Sequence, residues 1–490
     1  MTEPVIVVGA GPTGLMLAAE LGLARVPVVF LERREVPTFW SQAFAVHVSS
    51  VEMLKQRGLD RFGDARRFTN YNFGFPGLTS MNEDRLPLIV SQRRVEQLLE
   101  ERVREIGVEI RRGHELIGID QDETGVTAIV RSEAGEQRIR GAYLVGCDGG
   151  RSVVRKLVGI DFPGTPATLC GRTGDMEIFN EEYQDGIPTR MHAKGLAAVI
   201  RHPDEPGLCR ATAIEFGAER PSEDIPITAE EFRQTFLRVT GIDLKIGRTP
   251  WLTRFGDSTR HATTYRTGRV FIGGDAAHIH FPSAGQGLNT GMQDAMNLGW
   301  KLAGAVKGWA SEEVLDSYHE ERHPVGHEAC VYPQAQLALM YPPEKAAPLS
   351  ELIGTLVKFP EVSKYLIERS TGLGIRYQTK YDGQFPGGHP LLGKRIADYP
   401  LETGGGATSV ARTLHAGRGV VLDFGGAANA DLSDWADRVD LVPARPVAEA
   451  EAAALVIRPD GHVAYVDPDG GDVDGLRNAL TYWFGEPTQH

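Results

Sequence analysis

Val5-Ile6-Val7-Val8 is apolar at every position, not at every second one. A β-branched run without polar alternation predicts a short strand buried on both faces, as in a parallel sheet. After a glycine-rich break at 9–14, apolar residues recur at Leu15, Ala18, Ala19 and Leu21, the spacing of a helix. Val28-Val29-Phe30-Leu31 then predicts a second buried strand, ending at Glu32-Arg33. The same pattern returns twice. The apolar stretch 142–145 stops at Gly146-Cys147-Asp148-Gly149-Gly150 and gives way to a basic helix start. Val270 to Ile272 stops at Gly273-Gly274-Asp275, and a loop with Pro282, Gly285 and Gly287 follows. Beyond it, Leu288, Met292, Ala295, Leu298 and Leu302 recur three or four residues apart and predict a helix.

Elsewhere the pattern predicts helices over 47–58, 92–106, 229–240 and 312–345 and short strands over 109–111, 116–122, 126–131, 197–201 and 210–216. Pro386-Gly387-Gly388-His389-Pro390 marks a boundary. After it come strands over 419–424 and 454–465, the latter a hairpin turning at Asp460-Gly461, and a final helix over 476–483.

Length and composition narrow the class. A chain of 490 residues predicts two to four domains, and 41% hydrophobic with 24% charged residues is ordinary for a soluble globular protein. A net charge of −13 argues against a nucleic-acid partner. The four cysteines lie far apart, without a C-x-x-C pair, and are read as reduced thiols, not as a disulfide or zinc framework. No apolar run reaches membrane-spanning length, and Met1-Thr2-Glu3-Pro4 is not a basic leader, so the expected location is the cytoplasm. His319 and His323 stand four apart without a convincing third ligand, which favours a surface pair over a metal site.

Gly9-Ala10-Gly11-Pro12-Thr13-Gly14 is a G-x-G-x-x-G in the context that gives the motif meaning: strand before, helix after, then a second strand ending in an acid. Gly9 allows the tight turn, Gly11 the approach of a pyrophosphate and Gly14 the close packing of helix on strand. The helix amino terminus offers free N–H groups to phosphates, and Glu32 offers a carboxylate to ribose hydroxyls. This predicts a dinucleotide site; the motif alone serves NAD and FAD equally.

Together, GAGPTG, GCDGGRSVVRK and GDAAHIHFPSAGQGLNTGMQDAMNLGWKL resemble the signature stretches of single-component FAD-dependent aromatic monooxygenases of the para-hydroxybenzoate hydroxylase type. Within that family the chain most resembles the bacterial aromatic polyketide hydroxylases and, more distantly, rifampicin monooxygenase. The resemblance implies a Rossmann-like α/β FAD-binding domain, a β-sheet substrate domain and a carboxy-terminal thioredoxin-like α/β domain. The expected limits are 1–170 and 269–385 for the FAD domain, with 70–91 contributing to the substrate sheet, 171–268 for that sheet and 391–490 for the last domain. It further implies that Gly9, Gly11, Gly14, Glu32, Arg33, Gln92, Asp148, Asp275, Gly285, Gly287, Leu288 and Asn289 hold FAD, and that Pro282 walls the flavin. Gln42 and Ser49 stand where relatives often carry arginines; Arg33, Arg34 and Arg151 are the candidate replacements. Pocket candidates are Phe73, Met176, Ile178, Met191, Ile214 and Phe216, each equally readable as sheet core.

The activity so implied is NADPH- or NADH-driven transfer of one oxygen atom from O2 to a bulky aromatic substrate through a flavin C4a-hydroperoxide. Hydroxylation, Baeyer–Villiger insertion and antibiotic inactivation all use this chemistry. No acid or base residue stands out, and the expected state is a monomer or homodimer without membrane or nucleic-acid partners. A flavin-dependent halogenase is disfavoured because no tryptophan begins W-x-W-x-I-P. A flavin reductase and a non-enzymatic flavoprotein are the remaining rivals. The carboxy-terminal segment contains no cysteine, which excludes thiol redox work there.

Overall fold

The computed structural model describes residues 3–68, 86–183, 186–222, 224–283, 285–385, 388–427, 431–446 and 450–488. Phe73 and most of 70–91 lie outside them. The predicted buried strands meet in one six-stranded sheet, in the order Arg266–Thr267, Val270–Ile272, Tyr143–Gly146, Val5–Val8, Val28–Glu32, Ile110–Arg112. All neighbours are parallel except the first pair. Val8 pairs with Leu31 on one side and Gly146 on the other, and Gly146 pairs with Ile272. The carboxyl ends of these strands therefore share one edge, where ligands bind in open α/β sheets.

Helices α1 (Pro12–Leu23), α2 (Val48–Lys55), α3 (Gln92–Glu105), α4 (Val153–Leu157), α5 (Ala229–Thr240), α6 (Gln286–Lys307) and α7 (Glu312–Ala338) surround the sheets. In α1 every residue from Gly14 to Leu21 is buried. Close packing is why position 14 is glycine: a Cβ there would lie 1.9 Å from the Gly9 carbonyl oxygen. The expected single helical stretch over 312–345 is instead α7 ending at Ala338, then α8 (Pro343–Leu356), with a further α9 (Pro360–Thr371). Pro324 and Pro333 lie inside α7 without ending it.

A second, antiparallel sheet runs in the order Ile187–His192, Gly195–Arg201, Cys209–Glu215, Gly171–Met176, Trp251–Phe255. One face packs Met176, Ile178, Val199 and Ala211 on Phe232 and Phe236 of α5. The other collects Ile214, Phe216 and Phe255 against Leu169 and Phe281. Met176 and Ile178 are thus sheet core, while Ile214 and Phe216 face the loop of Phe281.

The carboxy-terminal sheet has the order Val439–Pro443, Gly419–Asp423, Ala454–Ile457, Val463–Asp467, with the first pair parallel and the rest antiparallel. Helix Val473–Phe484 covers it. This is the thioredoxin-like arrangement, and the hairpin turns at Asp460-Gly461 as expected.

Candidate active site

Shared strand register brings three glycine-and-acid turns to one edge. At the first, a Cβ built on Gly11 would meet nothing within 4 Å, and α1 has no side-chain cap. An uncapped helix start with open space over Gly11 suits a diphosphate. Glu32 ends the next strand, its carboxylate accepting from the N–H of Ala10 at 2.7 Å and of Arg34 at 2.9 Å. Arg33 is exposed beside it.

At the second turn, Asp148 accepts from the Ser152 hydroxyl at 2.5 Å and the Val153 N–H at 2.6 Å, so it caps α4. Arg155, which the sequence did not single out, binds this turn to the third. It donates to the carbonyls of Gly150 at 3.0 Å and Ala276 at 2.8 Å.

At the third turn, Asp275 is exposed to the cleft between buried Gly274 and Ala276. Although water reaches it from the cleft, protein surrounds it. Desolvation raises its carboxyl pKa, Asp294 adds to the rise, and His278 opposes it. Beneath, Asp294 accepts from the Gly274 N–H at 3.0 Å, pairs with His278 at 2.8 Å and takes the Arg322 guanidinium at 2.7 Å. Burial works against the Asp294 charge, but Arg322 and His278 outweigh it and hold the carboxyl below its usual range. His278 is therefore a buried strut of the loop.

Pro282 is exposed between buried Phe281 and Ser283. Gly285, left-handed at φ 66°, precedes α6, which also has no side-chain cap. Gly287 and Leu288 lie in its first turn, and Gly287 sits between the Asp275 carboxylate and His280 Nε2. Burial lowers the His280 pKa to about 4, only partly offset by its hydrogen bond to the Phe281 carbonyl, so the ring is neutral at neutral pH. Asn289 is occupied with structure: its carbonyl accepts from the His47 N–H at 2.9 Å, and its amide donates to Ala45 and Gly285. Gln92 similarly donates to Glu96 at 2.8 Å. The buried Ser283 Oγ and Gln286 Oε1 have no hydrogen-bond partner among the described residues. Open space over Gly11, two uncapped helix starts, a cleft-facing acid and two orphaned polar atoms fit a long ligand with a diphosphate and a polar ring edge, as FAD has.

The two departures from the arginine pattern have structural answers. Ser49 is buried and donates to the Thr371 carbonyl at 2.5 Å. Next to Gln42, Arg210 of the second sheet donates to the Ser41 carbonyl at 2.7 Å and pairs with Asp175. It is sandwiched between Phe44 at 4.2 Å and Trp251 at 4.5 Å. Since 169 residues separate Arg210 from Ser41, no local motif reveals it. A cavity of about 770 Å³ lined by Glu320, Tyr377 and Trp483 reaches Gln286 and Asn289 at the start of α6 from the side away from the three turns, none of which lines it.

Comparison with known proteins agrees with this geometry. Residues 2–331 match the family described as FAD binding domain, and residues 389–487 match "Aromatic-ring hydroxylase, C-terminal". A rifampicin monooxygenase of Streptomyces venezuelae is 42% identical over 492 residues, 99% of each chain. A dialkyldecalin synthase of Streptomyces rugosporus is 39% identical over 494 residues, again 99% of each. The solved structure of an anhydrotetracycline hydroxylase from Streptomyces rimosus superposes with a TM-score of 0.88 at 39% identity, covering 100% of both chains.

Proposed function

This chain belongs to the family of FAD-dependent aromatic-ring monooxygenases, and from that premise we propose that it uses NADPH or NADH and O2 to add one oxygen atom to a multi-ring phenol or quinone. One observation carries the reading: the cofactor loop and the apolar sheet face touch. Phe281, next to Pro282, packs in one cluster with Ile214, Phe216 and Phe255.

Bound FAD supplies electron transfer from the nicotinamide and activation of O2. The chain's own residues bind, orient and exclude water. Gly9, Gly11 and Gly14 with the start of α1 receive the diphosphate, Glu32 the ribose, and Asp275 the polyol chain. Gly285, Gly287 and Leu288 set the uncapped start of α6 against the ring system, where its dipole favours negative charge. Asn289 holds that start rigidly on 45–47. Pro282, with fixed φ and no N–H, presents a stiff wall without a proton to give. The sheet face of Ile214, Phe216 and Phe255 keeps water from the reacting side.

The test is consumption of NADPH and of NADH with tetracyclines, rifamycins and hydroxyanthraquinones, with mass analysis after reaction under isotopically labelled O2. One labelled oxygen in the organic product is expected. Nicotinamide oxidation with no labelled product overturns the reading. A product isomeric with the substrate, formed without O2, likewise overturns it.

A further inference from the structure

We propose that Gly171 and Phe255 set how large a ring system the sheet face admits, a determinant that rests on the substrate reading above. Met191 pairs with Leu196, Leu196 with Ile214, Ile214 with Gly171, and Gly171 with Phe255. Directly paired residues of antiparallel strands share a face, so these five form one row across the sheet. Four strand spacings of about 4.8 Å give an apolar strip of roughly 19 Å. It runs from Met191, 48% exposed, through buried Ile214 to the half-buried Phe255.

Position 171 is the one place in the row without a side chain. Its backbone is not left-handed and pairs on both sides, so no turn requires glycine there. What requires it is the Phe255 ring: a Cβ on Gly171 would lie 2.2, 2.5 and 2.6 Å from three atoms of that ring. Gly195 of the same sheet differs, because there a Cβ would strike the Ile214 backbone carbonyl at 1.9 Å. At 171 the obstacle is the movable end of a side chain. The ring lies down on the bare backbone and leaves the strip low. Any side chain at 171 lifts it off the sheet, and its neighbour is Phe281, 6.2 Å away between centroids and adjacent in sequence to Pro282. A lifted ring therefore presses toward Phe281 and the cofactor loop, over the apolar row that a flat multi-ring molecule would need along its length and a single ring would not.

The experiment is equilibrium dialysis of FAD-loaded protein, without nicotinamide, against 1,2-dihydroxyanthraquinone and against phenol. Gly171→Val is expected to weaken anthraquinone binding ~10-fold or more, as overpacking does, while phenol binding changes less than about 3-fold. Phe255→Leu added to Gly171→Val is expected to restore the anthraquinone. Unchanged anthraquinone binding, equal loss of both probes, or no recovery in the double variant overturns the proposal, and melting curves of each variant identify loss by misfolding. Failure separates cleanly from that of the substrate reading. Wild-type protein that binds the anthraquinone in this pattern but never oxygenates an aromatic compound refutes the monooxygenase activity alone. Protein that oxygenates the anthraquinone, yet whose Gly171→Val variant binds it as tightly as the wild type, refutes this assignment alone.

Discussion

Asp275 shows how a single residue separates stability from function. Desolvation by the surrounding protein raises its carboxyl pKa although the cleft exposes it, so its charge adds nothing to the stability of the folded chain without a ligand. Asp275→Asn is therefore expected to leave the melting temperature of the FAD-free protein unchanged or higher. Loss of a charge-assisted hydrogen bond is worth about 1.5–3 kcal/mol, so FAD is expected to bind roughly 10- to 100-fold more weakly. Flavin fluorescence titration measures the second effect and calorimetry the first; undiminished FAD affinity would remove Asp275 from the site. The sequence marks this acid because a Gly-Asp turn closes a strand. It cannot mark Arg155 or Arg210, which reach the distant carbonyls of Ala276 and Ser41 only in the folded chain. Nor does it show that the Asn289 side chain is engaged on the backbone of Ala45, His47 and Gly285.

At the scale of elements, α7 carries a device that its helical spacing half reveals. His319 and His323, read from sequence as a surface pair, are half-buried in the fold. What the spacing does not show is the third ring, His261 from strand Thr259–His261, 4.2 Å from His323, which lies 4.6 Å from His319. Burial depresses all three pKa values, His261 to about 3, with the neighbouring imidazoles adding to the effect at His261 and His323. Asp294 opposes the shift at His261, and Glu320 and Asp316 oppose it at His319. The unfolded chain takes up these protons below pH about 6.5 while the folded one resists, so stability falls as pH drops from there toward about 3. Melting temperatures between pH 7.5 and about 5 are expected to fall, and His323→Gln to flatten the slope. An identical slope in the variant would contradict the stack's role. Helix α7 runs on through Pro324 and Pro333, and the mostly exposed α8 follows it.

At the scale of the whole molecule, the cysteine-free last domain is bolted to the first. Arg458 lies against Glu321 of α7 at 2.5 Å and against Asp460 at 2.5 Å, and Glu321 also holds Lys301 of α6 at 2.8 Å. Arg57, paired with Glu20, donates to the carbonyls of Pro459 and Leu414, each from across the junction. Burial lowers the Lys301 pKa to about 8 despite Glu321, whereas Glu321, with two cations beside it, is held at about 2 against its own burial. Removing one partner of such a pair costs about 3–5 kcal/mol because the other charge stays buried. Arg458→Met is expected to lose that much in denaturant unfolding, and Glu321→Gln in the same background to recover part of it. A loss below about 1 kcal/mol would show that the junction does not carry the fold. Glu321 is followed in α7 by Arg322, which holds Asp294 and through it Gly274, so this junction and the cofactor turn share one helix.

The sequence by itself determined what depends on neighbours along the chain. Apolar runs at 5–8, 28–31, 142–145 and 270–272 read as buried strands and the glycines and acids at their ends as turns, which predicts a dinucleotide fold, and the motifs at those turns resemble the family's. Tertiary structure decided what depends on distance through space. It set Arg210 beside Ser41, closed three histidines into a stack and drove the Asp460 turn among buried charges. It also laid the Phe255 ring on Gly171. Backbone periodicity is local and is written in every few residues; the register of one strand against another is set by packing between segments far apart, and no short stretch of chain carries it.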